Sequence, residues 1–355
     1  MATTPLNVGQ IGAGRIGRLH AEHLAYRIPQ ANLLVLADVS DNAARGCAER
    51  LGIPETVADY HAILERDDVE AVVVCSPTNT HAQIIEEAAA AGKHIFCEKP
   101  IDLDLGRVDA ALAAVEQAGV KLQMGFNRRF DANFARIRQA LHDGEIGRPH
   151  LLHIISRDPA PPPIEYVKVS GGIFMDMTIH DFDMARFLIG AEVEEVYTAA
   201  GVMVDPAIGQ AGDLDTAVVT LKFANGVIGT IDNSRQAVYG YDQRVEVLGS
   251  QGAVHTGNNY PNAAVVSGAD RISRDLPLNF FMERYSESFL TEMRQFVQCV
   301  IQDKPVPVTG RAARAALLMA LAARKSYDEN RPVALDEVDV PTPQTTGNNN
   351  GNLVA

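Results

Sequence analysis

Positive charge is in short supply here: across 355 residues, 31 Lys and Arg stand against 45 Asp and Glu, a formal net charge of −14. A surface this acidic gains nothing from a phosphate backbone or an anionic bilayer, so neither nucleic acid nor membrane is expected as a partner. No apolar run approaches the ~20 residues of a membrane helix. The first residues, MATTPLNVGQIGAG, lack the basic stretch and apolar block of a secretory signal. Cysteine is sparse too: Cys47, Cys75, Cys97 and Cys299 are scattered without CxxC spacing. That offers no structural zinc site and suits a reducing compartment, so a cytoplasmic location is expected. What is plentiful is core material. At 46% hydrophobic and 21% charged, the chain has the balance of a globular protein and the length for two domains.

The first 125 residues alternate apolar runs with helix-patterned stretches. LNVGQIG, NLLVLAD, EAVVVCS, KHIFCEK and VKLQMGF read as strands, apolar on both faces as in a buried parallel sheet. Between them, residues 15–27, 42–51, 81–91 and 105–118 carry helical periodicity. Strand–helix–strand repetition of this kind predicts a doubly wound α/β sheet over residues 1–125. Beyond Gly125 the rhythm changes. Helices are expected near 131–142, 173–189, 282–302 and 311–327, with strand-like runs VEEVYTAAGVMV, DTAVVTLKF, GVIGTIDNS and RVEVLGS between the second and third. Asn225-Gly226 is a strong hairpin signal. Residues 126–340 are therefore expected to form an α+β domain with an open, mainly antiparallel sheet, and residues 341–355, polar and low in complexity, a disordered tail.

GAGRIG, Gly12 to Gly17, is a GxGxxG that follows a strand and opens a helix. In that setting Gly12 permits the tight turn, Gly14 lets a pyrophosphate approach the backbone, and Gly17 allows close helix–strand packing. The helix amides and the positive end of the dipole then face the anion. Asp38 ends the second strand, 21 positions beyond Gly17. A carboxylate there accepts from both adenosine ribose hydroxyls and repels a 2′-phosphate, so NAD is expected rather than NADP.

Two further segments carry chemistry. Glu98-Lys99-Pro100 ends a parallel strand, the edge along which ligands sit in such folds. Lys99 there either polarises a substrate hydroxyl beside the nicotinamide or is an exposed lysine in a surface ion pair. In GGIFMDMTIHDFDMARFLIG, residues 171–190, Asp176, His180 and Asp183 fall at i, i+4 and i+7 on one face of an otherwise apolar helix. Buried polar groups need partners, so that face is expected to border a cavity or polar network. Removing hydride from an alcohol requires a base for its proton, and an imidazole suits that near neutral pH. Asp176 would hold the imidazole. A plain hydrogen-bonded Asp–His pair is the alternative. Zinc is another, but no third ligand stands nearby and no HExxH occurs, so no metal is expected.

GAGRIG, EKP and GG-x3-D-x3-H together resemble the glucose–fructose oxidoreductase/inositol dehydrogenase (Gfo/Idh/MocA) family, from about Leu6 to Val340. GFNRRFD, SRDPAPPP, DMTIHDFDMARF and YGYDQRVEV resemble its bacterial inositol 2-dehydrogenases. The resemblance implies NAD-dependent oxidation of myo-inositol to the 2-keto inosose, with Lys99, Asp176 and His180 as the catalytic group and His180 as proton acceptor. It implies cofactor contacts from Gly12, Gly14, Arg15, Ile16, Gly17, Asp38, Ser40, Ser76, Thr78, Asn79, His81, Glu98 and Lys99. Substrate contacts are implied for Asn127, Arg157, Asp158 and Tyr241 beside the catalytic three, as are a cis peptide before Pro100 and a homotetramer packed through the second domain's sheets. Another inositol isomer or an aldose is the nearest alternative substrate. Cofactor-regenerating glycosidase chemistry and a non-catalytic NAD sensor are further ones.

Overall fold

The computed structural model describes residues 4–339; the tail expected at 341–355 lies outside them. Six parallel strands, β1 Leu6–Ile11, β2 Ala31–Ala37, β3 Glu55–Val57, β4 Ala71–Val74, β5 His94–Glu98 and β6 Leu122–Gly125, form a sheet in the order β3-β2-β1-β4-β5-β6. β4 is buried at every position, as a strand covered on both faces must be. The short β3 is too brief and too polar to stand out in the sequence. The order reverses between β1 and β4, and the resulting crevice outside their carboxyl ends is where a ligand sits in this topology.

The second sheet holds β7 Pro149–Arg157, β8 Val193–Gly201, β9 Thr216–Phe223, β10 Ile228–Ser234, β11 Asp242–Gly249 and β12 Gly252–Thr256. The exposed ribbon of β13 Val265–Ser267 and β14 Ile272–Arg274 stands apart, and β15 Val333–Ala334 closes one edge of the sheet. Its order is β12-β11-β7-β10-β9-β8-β15, antiparallel except for the β7–β10 pair. One face packs on the helices Ile179–Ile189 and Gly310–Glu329. The other is open, and Leu151, Tyr197, Val218, Ile228 and Leu248 on it are all more than a third exposed.

The division between the halves is not a single cut in the chain. The helix Ser286–Ile301, from the second half, buries Leu290, Met293, Phe296 and Val297 against Leu6, Val8, Val73 and Phe96 of the first sheet. The first domain is therefore completed by a segment some 160 residues beyond its last strand. Hydrophobic periodicity marks a face as buried but not what buries it.

Candidate active site

The glycine-rich turn has the steric signature of a dinucleotide site. Gly12 has φ +103°, and a Cβ there would lie 2.5 Å from the Cys75 carbonyl oxygen; one on Gly17 would lie 2.2 Å from the Gly12 oxygen. Neither position admits a side chain. Gly14 differs: a Cβ on it would meet nothing within 4 Å. Space is left where a pyrophosphate would approach the first turn of the helix Arg15–Glu22. Gln10, fully buried, ties the turn together by donating from Nε2 to the carbonyls of Gly12 (2.9 Å) and Gly17 (2.8 Å). Nothing in the motif singles Gln10 out.

Asp38 is fixed by two backbone amides, Ala13 N–H to Oδ2 at 2.7 Å and Ser40 N–H to Oδ1 at 2.8 Å. Its remaining lone pairs are free to accept from ribose hydroxyls. Ser40 caps the helix Asp41–Leu51, and Arg15 lies with its guanidinium carbon 5.5 Å from the Phe280 ring centroid. Ile16 is half-buried beside the turn; Thr78 and Asn79 begin the helix Thr78–Ala90 after β4. Ser76 hydrogen-bonds Thr80 at 2.7 Å. His81 stands behind this loop. It is buried, with Nδ1 2.8 Å from the Pro100 oxygen and Nε2 2.9 Å from the Ser76 oxygen. Both ring nitrogens are thus committed to backbone, so His81 is a bracket between the two loops.

Glu98 Oε1 lies 2.8 Å from His20 Nε2, with Glu292 of the helix Ser286–Ile301 close by. Among the described residues these three form the group whose donor atoms cluster as a metal site requires. Burial and the Glu98 charge push the Glu292 carboxyl well above the usual range.

The three residues expected to be catalytic lie where the carboxyl end of β5 meets the helical segment 174–189. The Lys99–Pro100 peptide is cis. Lys99 Nζ donates to the Asp176 carbonyl at 3.0 Å and lies 3.9 Å from its Oδ1. Asp176 stands on a π-helical turn, Phe174–Thr178, that runs into the helix Ile179–Ile189. The expected Asp176–His180 hydrogen bond does not form. Asp176 Oδ1 accepts from the Tyr166 hydroxyl at 2.8 Å and Oδ2 from Arg235 at 3.2 Å. Arg235 is fully buried and also donates to Asp213 at 3.3 Å. A buried guanidinium must be paired, and a charged donor outcompetes a neutral imidazole for the carboxylate.

His180 is left without a carboxylate partner among the described residues. Burial and the nearby charges of Lys99 and Arg128 hold its pKa well below the ordinary imidazole value. Its ring meets Phe126 edge-on at 5.9 Å. Nδ1 is buried without a partner, and Nε2 makes no hydrogen bond among the described residues. Asp183 does not join it, because both of its oxygens are taken by Arg129, at 2.5 and 2.7 Å.

Of the four residues expected to contact substrate, three are buried in the second domain or at its edge. Asn127 is buried with Nδ2 unpartnered. Tyr241 is buried and accepts from Arg128 Nη2 at 3.4 Å. Asp158 is raised to about 6, first by burial and then by the Asp176 charge, with Arg235 and Arg128 opposing. Arg157 is the exception. Along β7 it follows Ser156, which faces the helices, so its own side chain leaves on the opposite face and pairs with Asp232 (2.5 and 3.0 Å). Strand alternation places it on the face of the sheet opposite to the buried Ser156. Tyr166, Arg235, Arg128 and Asp213 are polar residues at the site that sequence motifs did not single out. Arg128 shared a quoted segment with Asn127, but nothing local distinguished it from Arg129.

Residues 6–126 match the family model for the oxidoreductase family with NAD-binding Rossmann fold, and residues 134–255 match that for the GFO/IDH/MocA C-terminal domain. A myo-inositol 2-dehydrogenase of Thermotoga maritima is 50% identical over 335 residues, 94% of this chain and 99% of its own. An inositol 2-dehydrogenase of Rhizobium meliloti is 46% identical over 92% of this chain and 98% of its own. The crystal structure of a probable dehydrogenase from Thermotoga maritima superposes with a TM-score of 0.92 at 49% identity, covering 94% of this chain and all of the other. Matched over residues 6–126 and 134–255 by the two domain models, and half identical to a relative over nearly its whole length, this chain belongs to the Gfo/Idh/MocA family of NAD-binding oxidoreductases.

Proposed function

We propose that this protein oxidises myo-inositol at C2 to 2-keto-myo-inositol with NAD⁺ as hydride acceptor. The observation that carries the proposal is that Lys99, at the carboxyl end of β5, bonds the Asp176 carbonyl four residues before His180, in a domain whose glycine turn is built for a dinucleotide. NAD⁺, when bound, supplies the acceptor for the hydride; the chain's residues do the rest. Lys99, held by the Asp176 carbonyl, lowers the pKa of the substrate hydroxyl through its charge. His180 takes the proton at Nε2, which requires the neutral tautomer with hydrogen on Nδ1. Asn127 Nδ2, Asp158 and Tyr241 offer donors and acceptors for the ring's other hydroxyls. A site that matches hydroxyls discriminates strongly against analogues lacking them.

The deciding experiment is NADH formation, followed by absorbance, with myo-inositol, scyllo-inositol and glucose as separate substrates. Net NADH with myo-inositol above the others is expected. A signal with glucose and none with either inositol would overturn the substrate assignment.

Asp158 gives a pH dependence with a definite sign. Its folded pKa, about 6, lies above the ordinary carboxylate value. The folded chain therefore holds the proton more tightly than the unfolded chain. Any stability this contributes is fully present below the ordinary value and is lost as pH rises through about 6. Asp158→Asn is expected to raise the melting temperature relative to wild type at pH 8 and to leave it unchanged at pH 4. An offset that does not vary with pH would refute the assignment.

The homotetramer belongs to the proposal too, and the open face of the second sheet supports it: five large apolar side chains on one face are more than isolated exposed residues usually found on a monomer. Val218→Glu, in the middle strand region of that face, is expected to shift the mass measured by light scattering from tetramer to a smaller species. An unchanged mass would remove the face from the interface. With no helix among the described residues long and apolar enough to cross a membrane, and four free cysteines, the chain is suited to the cytoplasm.

A further inference from the structure

On the helix side of the second domain, away from Lys99 and His180, a cleft of about 380 Å³ opens between the end of the helix Ile179–Ile189 and the start of the helix Gly310–Glu329. Four guanidinium groups line it, those of Arg129, Arg138, Arg186 and Arg311, against one carboxylate, Glu192. In a chain of net charge −14 such a concentration of cations in a concavity is out of character.

Counting donors shows how much of this charge is unspent. Arg129 grips Asp183, and Arg186 grips Glu192, each through Nε and Nη2, so Nη1 of both remains available. Arg138 makes a single 3.3 Å bond to the Leu188 carbonyl and has no carboxylate partner among the described residues. Arg311 is 83% exposed and lies 3.5 Å from Glu116, an exposed pair that water screens. Setting Asp183, Glu192 and Glu116 against the four arginines leaves Arg138 without a carboxylate among the described residues, and Arg311 with only a solvent-screened one.

The cleft is also kept open. Gly190, at φ +69°, has no side chain where a Cβ would come within 3.3–3.4 Å of the Arg138 nitrogens. Phe187 forms an apolar wall under two of the cations, with Arg129 and Arg138 at 5.3 and 6.0 Å from its ring centroid. The 20-residue helix Gly310–Glu329 starts here with no acidic residue in its first turn, so its positive end adds to the field.

We propose that this cleft binds a small molecule carrying two or more anionic oxygens, a phosphate ester or a polycarboxylate. Forked guanidinium donors match both oxyanion types bidentately, and the volume admits a molecule of metabolite size. The site is separate from the cofactor turn and the polyol pocket. Its occupant would bear on the same helix that carries His180, through Asp183 and Arg129.

The test is thermal unfolding of the NADH-loaded enzyme, whose dinucleotide turn is filled, titrated with inorganic phosphate and separately with citrate at constant ionic strength. A saturable rise in melting temperature is expected with at least one probe, and Arg138→Gln/Arg311→Gln should weaken its apparent affinity at least tenfold. Phosphate alone acting marks a phosphoryl ligand, citrate alone a polycarboxylate, and both together a general oxyanion site. Arg311→Glu serves as a second variant, since a side chain this exposed can be reversed in charge without disturbing the core, and it should weaken both responses. No saturable response to either probe, or a response of equal midpoint in both variants, overturns the proposal.

Discussion

The substitution His180→Ala is expected to lower kcat by about 10²–10⁴-fold, the range for removing a positioned general base, while NAD⁺ binds with unchanged affinity. The second half of the expectation follows from location: the turn at Gly12–Gly17 and the Asp38 anchors make no contact with His180. Single-turnover absorbance for the chemical step and NADH fluorescence for binding separate the two. The lowered pKa adds a pH signature. Because burial, Lys99 and Arg128 keep the ring neutral well below the ordinary value, wild-type activity should show no His180 limb between pH 6 and 8. Full activity in the alanine variant would exclude the residue as the base. Loss of cofactor affinity equal to the loss of kcat would make it a structural histidine.

The second large effect belongs to Arg235, which sequence motifs did not identify. It is fully buried, and it joins Asp176 to Asp213, whose Oδ1 in turn accepts the Ile173 amide at the entrance of the catalytic helix. Arg235→Met keeps most of the volume and leaves two carboxylates without their cation. Breaking a buried pair from one side costs about 3–5 kcal/mol, to be read as a lower urea midpoint. The variant should also lose kcat, because the Asp176 backbone that holds Lys99 is no longer anchored. Arg235→Lys, which restores charge without the fork, should recover stability in part. A stability change below about 0.5 kcal/mol, the range of ordinary surface substitutions, would show that the carboxylates find other partners and that Arg235 is not the keystone of the site.

Both predictions depend on contacts between distant segments, which is where the sequence alone fell short. Asp176 and His180 are four apart on one helical segment, and that spacing suggested a bond between them. The carboxylate instead pairs with a guanidinium 59 residues further on. A local pattern establishes which groups share a face but not which competitor arrives from elsewhere. Asp183, on that same expected face, was claimed by Arg129 for the same reason. Arg157 failed differently. HLLHIISR is apolar at both parities near its middle, so it does not show which face the helices cover, and a shift of one residue sends a side chain to the other side of the sheet.

What the sequence determined by itself was whatever depends on neighbours in the chain. The five long strands of the first sheet and the helix Leu105–Ala118 follow from periodicity. The roles of Gly12, Gly14 and Gly17 follow from what a missing Cβ permits, and the position of Asp38 follows from the length of one βαβ unit. The tertiary structure decided the rest: which domain the helix Ser286–Ile301 completes, which face of β7 is the inside, how Arg235 and Tyr166 take the carboxylate of Asp176, and how four arginines from three segments come to share one cleft. Backbone geometry and side-chain periodicity act over a few residues and are written locally. Charge pairing and burial are settled in space, among all groups that the fold brings within reach, and no one segment contains the information to say which pair will win.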